Sequence, residues 1–264
     1  MPLLVVAVLL GVVEGLTEFL PVSSTGHLIL AERLLPSLGA HADAFRVAIQ
    51  AGAIAAVAWQ ERARFAALLR PAAPGTFGGT RGIVLLAVLS APALGVGFAL
   101  RHVAWWSAPG PVAAALAVGG LGLLALERLR GDRGTRAVDA LDLRAAFGVG
   151  CFQCLALWPG ISRSGATIAG AMLLGLSRRA ATELSFLAAV PVVLAATAYM
   201  LVKDPGMLSG EAGAALAVGF VVAGVSALVA VRAFTAFVAR STMEPFAWYR
   251  LGLAVAVAAV AWLA

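Results

Sequence analysis

The stretch from Gly11 to His27 reads GVVEGLTEFLPVSSTGH, and it places several polar groups inside an apolar N-terminal segment. Glu14 and Glu18 are four residues apart, so on a helix their side chains share one face, one turn apart. Pro21 lacks an N–H and is expected to end that helix. The hydroxyl residues after it are suited to capping a new helix. The stretch therefore predicts a helix, a polar turn and a second helix. Because ionisable groups at membrane depth are costly and usually functional, the turn is the first candidate site.

The composition predicts an all-α polytopic membrane protein. The 264 residues are 62% hydrophobic and 12% charged, with a mean hydropathy of +0.97, whereas a soluble domain carries about 25% charged residues. Crossing a bilayer takes ~20 residues. About six transmembrane helices are predicted, near 43–60, 83–100, 111–126, 183–202, 213–231 and 245–263. Cys151 and Cys154 form a CxxC without a second cysteine pair, and they are interpreted as packing residues rather than as a redox or zinc site.

Two further apolar stretches, about 2–35 and 145–175, are each broken midway by a proline and a polar turn. Each predicts a re-entrant helical hairpin, which is tolerated where the turn is buried in protein or lines a wet cavity. One kinked span is the alternative. We favour re-entry because the polar turn lies close to the middle of each stretch.

An internal repeat relates the two broken stretches. A shift of 139 positions places Gly11 on Gly150, Ser23 on Ser162 and Gly26 on Gly165. Each copy holds a hairpin and three crossings, an odd number, so the second copy is inverted relative to the first. The sequence thus predicts one integral membrane domain over residues 1–264, with an inverted-topology repeat at about 1–130 and about 140–264. This architecture is typical of transporters.

The basic residues predict the orientation. This layout puts only Arg33, Arg101 and Lys203 on one side, and the positive-inside rule makes the opposite side cytoplasmic. Both termini and the site are then expected outside. The net charge of +6 is explained by loop arginines rather than by nucleic-acid binding. The cytoplasmic side holds thirteen: Arg62, Arg64, Arg70, Arg81, Arg128, Arg130, Arg133, Arg136, Arg144, Arg178, Arg179, Arg232 and Arg240.

Two hairpins that meet at the midplane would create an anion site, because two helix N-termini would point at one position. Arg163 adds a planar fork that binds two phosphate oxygens. Glu14 and Glu18 would repel a bare anion, so they suggest a divalent cation, Mg²⁺ or Ca²⁺. Ser24 is a candidate nucleophile, and His27, three residues on, a candidate base. The other candidate substrate-binding residues are Ser23, Thr25, Gly26, Ser162, Ser164, Gly165 and Thr167.

Simpler roles also fit these residues. The first-turn hydroxyls fit capping alone, and Arg163 fits an ion pair with Glu14 or Glu18 without any substrate. Glu183, Gln50 and Gln153 are weaker candidates.

The blocks EGLTEFLPVSSTGH and PGISRSGAT resemble the bacterial undecaprenyl-diphosphate phosphatase family associated with bacitracin resistance. The resemblance covers nearly the whole chain, since the length, the repeat and the spacing of both blocks agree. It implies a hydrolase of the bacterial inner membrane that removes the terminal phosphate of undecaprenyl diphosphate and recycles the lipid carrier for peptidoglycan synthesis. It also implies an active site with a divalent metal and with Glu14, Glu18, Ser24, His27 and Arg163.

The rival class is a transporter or flippase that binds a phosphate-bearing lipid or anion at the same site without hydrolysis. The acid-phosphatase-like lipid phosphatases fit poorly, because they need a second histidine after the Ser-Arg pair and this chain has none after His102. The sequence leaves open whether Ser24, His27 or water attacks the phosphorus. It also leaves open whether the protein is a monomer or a homo-oligomer.

Overall fold

The computed structural model describes residues 1–36, 39–102 and 108–263, and the regular structure in these ranges is helical. The described ranges hold eleven α-helices: α1 (Leu3–Thr17), α2 (Ser24–Leu34), α3 (Ala42–Gln60), α4 (Arg62–Leu68), α5 (Gly79–Ala99), α6 (Pro109–Leu129), α7 (Leu143–Cys154), α8 (Arg163–Leu173), α9 (Arg178–Lys203), α10 (Gly210–Val238) and α11 (Glu244–Leu263).

Six of the described helices are long and apolar enough to cross a membrane, namely α3, α5, α6, α9, α10 and α11. The prediction of an all-α, multi-pass membrane protein with about six transmembrane helices is therefore confirmed. The helices are longer than predicted at several ends. Arg178, assigned above to a loop, begins α9 and is buried, because its guanidinium pairs with both carboxylate oxygens of Glu127 at 2.9 and 2.7 Å.

Each of the two broken stretches forms two short helices joined by a polar turn, as predicted. The first helix α1 ends at Thr17, four residues before Pro21, and a turn follows; the Thr17 carbonyl is the group with which the Pro21 ring would clash in a continued helix. The Glu18 N–H still bonds the Glu14 carbonyl at 2.9 Å, so the two carboxylates remain one helical turn apart. The second stretch passes from α7 through a 3₁₀ turn, Leu155–Leu157, before α8 begins.

Small residues allow the helices to approach closely. The helix α10 packs against both α1 and α3, α6 packs against α11, and α5 packs against α7. A Cβ added at Gly52 of α3 would lie 2.0 Å from the Phe220 carbonyl oxygen of α10, so only glycine fits there. Such contacts hold membrane helices together mainly by van der Waals packing.

A series of edge-to-face aromatic rings lies beneath the first polar turn. Phe19, which is fully buried in that turn, packs against Phe186 of α9 with ring centroids 5.7 Å apart. Phe186 packs against Phe234 at 6.3 Å, and Phe234 against Phe246 at 5.3 Å. This geometry is the preferred one for aromatic pairs, and it gives the turn a rigid apolar base.

A polar network joins α4, α9 and the loop before α7. Arg64 donates to Glu183 at 2.5 Å and to Asp139 at 3.2 Å, and the Phe77 N–H donates to Asp139 at 2.7 Å. The hydrogen bond from Phe77 and the charge of Arg64 hold the pKa of the Asp139 carboxyl below its usual value. Glu183, a weaker site candidate, therefore serves this network and not the polar turns.

Candidate active site

The two polar turns border one cavity of about 190 Å³. Aliphatic side chains of α5 and α9 close part of its wall, and the two weaker candidates Gln50 and Gln153 both line it. The polar lining comprises Glu18, Ser23, Ser24, Thr25, Gln50, Gln153, Ser162 and Arg163.

Glu18 joins the two turns. It accepts a hydrogen bond from the Ser24 hydroxyl at 2.8 Å through one carboxylate oxygen. Its other oxygen accepts from Nε and Nη2 of Arg163 at 3.4 and 3.3 Å. Arg163 also donates to the Ser185 carbonyl at 3.1 Å and lies over the Phe19 ring. The structure thus brings together three of the predicted catalytic residues, with Arg163 paired to Glu18.

Glu14 is completely buried, one helical turn from Glu18. Its carboxyl lies beside that of Glu18, and the two can share a hydrogen bond only if one of them is protonated; no other described residue donates to the Glu14 oxygens. Arg163 pairs with Glu18 and leaves Glu14 without an ion-pair partner among the described residues, so the two adjacent carboxyls still favour a shared proton or a further cation beside them. Glu14 and Glu18 therefore fit a divalent cation, for which oxygen ligands from carboxylate, phosphate and water are suitable.

Each turn holds one serine in a strained backbone conformation. Ser23 has φ 70° and Ser162 has φ 72°, and they are the non-glycine residues with positive φ in the described ranges. Such conformations cost about 1–3 kcal/mol and persist only where the surroundings enforce them, typically at functional sites. The Ser162 hydroxyl caps α8 by accepting from the Gly165 N–H at 3.2 Å, whereas Ser23 makes no such capping bond.

The hydroxyls of the second turn form an internal chain. Ser164 donates to the Leu20 carbonyl of the first turn at 2.8 Å, so the 3.0 Å bond between the two serines is donated by Ser162. Thr167 is fully buried and lies 2.8 Å from the Arg163 carbonyl and 3.3 Å from Gln153 Oε1. These predicted substrate-binding residues are engaged in fixing the two turns.

His27 lies beside a second cleft, of about 690 Å³, formed by α1, α2, α10 and α11. Its Nδ1 is 2.8 Å from the Ser23 carbonyl, and its Nε2 is 2.7 Å from the Tyr249 hydroxyl. Because a carbonyl only accepts, Nδ1 carries a proton. Both ring nitrogens of His27 thus form hydrogen bonds with groups other than the Ser24 hydroxyl. The His27 ring contacts the first turn at the backbone carbonyl of Ser23.

The two predicted glycines of the turns lie at close helix contacts. A Cβ at Gly26 would come within 3.0 Å of the Leu116 side chain, and one at Gly165 within 3.3 Å of the Arg250 guanidinium.

Sequence reasoning missed Tyr249 and Arg250. Arg250 carried a usable signal, since it is an ionisable residue within the last apolar segment. Tyr249 carried none, because it meets His27 only through packing between residues 222 positions apart.

Comparison with known proteins gives a consistent result. The family model described as bacitracin resistance protein BacA matches residues 7–256. An undecaprenyl-diphosphatase of Nitratidesulfovibrio vulgaris (strain Hildenborough) is 50% identical over 95% of this chain and 96% of its own length. One of Oleidesulfovibrio alaskensis is 51% identical over 96% and 97%, and undecaprenyl-diphosphatase 2 of Rhodospirillum rubrum is 45% identical over 98% and 96%. With its family model matched over nearly its whole length, this chain belongs to the bacitracin resistance protein BacA family.

Proposed function

We propose that the protein hydrolyses undecaprenyl diphosphate to undecaprenyl phosphate and inorganic phosphate, and so recycles the lipid carrier for cell-wall synthesis. The relatives at about 50% identity carry the name of this activity. The observation that carries the proposal is the contact of Ser24, Glu18 and Arg163 across the cavity between the two turns. It joins a hydroxyl, a carboxylate that can accept its proton and a guanidinium suited to phosphate.

In the proposed reaction the Ser24 hydroxyl attacks the terminal phosphorus and its proton passes to Glu18, 2.8 Å away. The bond between that phosphorus and the bridging oxygen breaks, and undecaprenyl phosphate leaves with the bridging oxygen. Water then attacks the phosphorus of the phosphoserine, the bond from phosphorus to the Ser24 oxygen breaks, and the proton held by Glu18 returns to that oxygen. Inorganic phosphate leaves with the oxygen and protons of the water. Arg163 turns from Glu18 to the phosphoryl oxygens and stabilises their charge in the transition state.

This reaction predicts which variants act as a unit. The double variant Ser24→Ala/Glu18→Gln should lose little more kcat than the stronger single variant, because both residues serve one proton transfer. His27→Ala should instead multiply with Ser24→Ala, since His27 contacts the turn backbone and not the Ser24 hydroxyl. The measurement is kcat for all single and double variants. Coupling of Ser24 to His27, with Glu18 independent, would assign the base role to His27.

We propose that Glu14 and Glu18 hold a divalent cation, Mg²⁺ or Ca²⁺. When bound, the cation neutralises the diphosphate charge. The support is the buried, undonated Glu14 carboxyl beside Glu18. Exhaustive chelation should abolish phosphate release and re-addition of cation should restore it, and Glu14→Gln should weaken cation binding measured by calorimetry. Full activity after chelation would mean that the two carboxyls share a proton.

We infer that the chain is one membrane domain of two inverted repeats, with α1–α2 and α7–α8 as re-entrant hairpins. The strained serines support this, since Ser23 and Ser162 are 139 positions apart, the shift of the sequence repeat. Helix packing also follows the repeat, because α1 contacts α10 and its counterpart α7 contacts α5, the counterpart of α10. We further propose that the protein lies in the bacterial inner membrane with its arginine-rich loops in the cytoplasm, so that both termini lie outside and the site opens to the outer face.

The experiment that tests the function is phosphate release from undecaprenyl diphosphate by purified protein in detergent. Release that is lost in Ser24→Ala supports hydrolysis. Substrate binding without release would favour the rival transporter or flippase, which the repeat-related packing also fits.

A further inference from the structure

Arg250 of α11 is the largest fully buried side chain in the described ranges, with an exposed fraction of 0%. A guanidinium at membrane depth is costly unless its donors are satisfied. All the acceptors it contacts are backbone carbonyls: Pro21 at 3.3 Å, Gly160 at 2.9 Å, Ile161 at 2.7 Å, Ala115 at 3.5 Å and Leu116 at 3.4 Å.

Three of these carbonyls belong to the two polar turns. Pro21 lies two residues before the strained Ser23, and Gly160 and Ile161 directly precede the strained Ser162. The Nη1 group links the two turns by itself, since it donates to the carbonyl oxygens of both Pro21 and Ile161. The peptide unit is planar and trans, so fixing the Ile161 carbonyl also fixes the direction of the Ser162 N–H.

We propose that Arg250 is a positioning residue that clasps the two turns together, so that Ser24 and Glu18 of the first turn meet Arg163 of the second. The clasp holds both strained serines in place, because strain of this kind must be enforced by neighbouring contacts. Removing the guanidinium would leave buried carbonyls of both turns without donors, which is unfavourable at membrane depth. The second turn would then be free to move relative to the first.

Gly119 of α6 provides the space for this clasp. A Cβ at position 119 would lie 1.9 Å from Nη2 of Arg250, whereas a Cβ at Gly122, three residues later on the same helix, meets nothing within 4 Å. Gly119→Ala therefore displaces the guanidinium without changing Arg250 itself. Gly122→Ala is the matched control, because it makes the same chemical change on the same helix.

The first readout is kinetic and rests on the proposed phosphatase activity. Arg250→Lys keeps the charge but offers three donors from a flexible stem instead of a planar fork. We expect Arg250→Lys and Gly119→Ala each to lower kcat at least tenfold with KM within about twofold, because misplaced catalytic groups weaken transition-state contacts more than the binding of the lipid tail. Gly122→Ala should leave both constants unchanged. In an Arg250→Met background, Gly119→Ala should cost much less than in the parent protein, with only the contact of the added Cβ to the Ile161 carbonyl oxygen at 3.2 Å remaining.

The second readout does not depend on activity. Leu16 and Leu155 are exposed, repeat-related positions close to the first and second turns, and each can carry a spin label as cysteine after Cys151 and Cys154 are replaced by alanine. The label-to-label distance distribution should be narrow in the otherwise unaltered protein and in Gly122→Ala, and should broaden in Arg250→Lys and Gly119→Ala.

The two readouts separate the two proposals. A protein that releases no phosphate but shows the expected broadening would overturn the proposed function and keep the clasp. Normal kcat and an unchanged distance distribution in Arg250→Lys would overturn the clasp, as would a loss of thermal stability in both Arg250→Lys and Gly119→Ala with kcat preserved.

Discussion

The Arg163 guanidinium has contacts on three sides. It donates to Glu18 and to the Ser185 carbonyl, and its guanidinium carbon lies 5.5 Å from the Phe19 ring centroid. We expect Arg163→Lys to lose nearly as much kcat as Arg163→Ala, on the order of a hundred- to a thousandfold or about 3–4 kcal/mol, because a point charge does not reproduce a planar fork. KM should change less, since the lipid tail still anchors the substrate.

Steady-state kinetics on undecaprenyl diphosphate in detergent measure this effect, with Arg144→Lys at the start of α7 as the control. A near-normal kcat for Arg163→Lys would restrict Arg163 to charge balance. At the residue scale, Glu18, Ser24 and Arg163, which the two motifs indicated, line one cavity in the structure. The motifs could not identify Tyr249 as the hydrogen-bond partner of His27, because the two residues meet only through the packing of α2 against α11.

At the scale of helices, close packing against α10 organises the first half of the chain. Gly52→Ala would push a methyl group into the Phe220 carbonyl, whose oxygen lies 2.0 Å from the added atom. Overpacking of this kind costs about 1–3 kcal/mol. We expect a lower thermal midpoint for Gly52→Ala in detergent, whereas Gly95→Ala on α5, where an added Cβ meets nothing within 4 Å, should match the parent protein. An unchanged midpoint for Gly52→Ala would show that α3 and α10 separate at little cost.

Hydropathy predicted the six long helices because their length and apolar content are local properties. The predicted ends of the helices were less accurate where a polar side chain forms its ion pair or hydrogen bond with a residue far away in the chain. Arg178 extends α9 because Glu127 of α6 neutralises it, and that pairing is invisible in either segment alone. The contact of Phe19 in the first turn with Phe186 of α9 likewise joins residues far apart in the chain, and neither segment alone reveals it.

At the scale of the whole molecule the proposed orientation can be tested by chemical labelling. Thr25→Cys, in a protein whose own cysteines are replaced by alanine, should react in intact cells with a membrane-impermeant thiol reagent, because Thr25 lines the cavity that we assign to the outer face. Arg133→Cys, in the loop between α6 and α7, should react only after the cells are opened. The reverse pattern would invert the assignment.

The sequence repeat could be read directly because identical residues recur 139 positions apart, and the inversion was predicted from the odd number of crossings expected in each copy. The contacts between the two repeats could not be predicted from the sequence. Glu18 and Arg163 are 145 residues apart, and they meet only when both turns have folded.

The contact between α1 and α10 also has a consequence for biosynthesis. These helices pack along one another, yet more than half of the chain is synthesised between them. The Glu14 carboxyl therefore reaches the membrane before the helix that packs beside it has left the ribosome. Because ribosomes add about 5–20 residues per second, roughly ten seconds or more pass between the synthesis of α1 and that of α10. During that interval the Glu14 carboxyl has to be held by the insertion machinery or stay in contact with water. The burial of Glu14 beside α10 is complete only after the C-terminal helices have been synthesised.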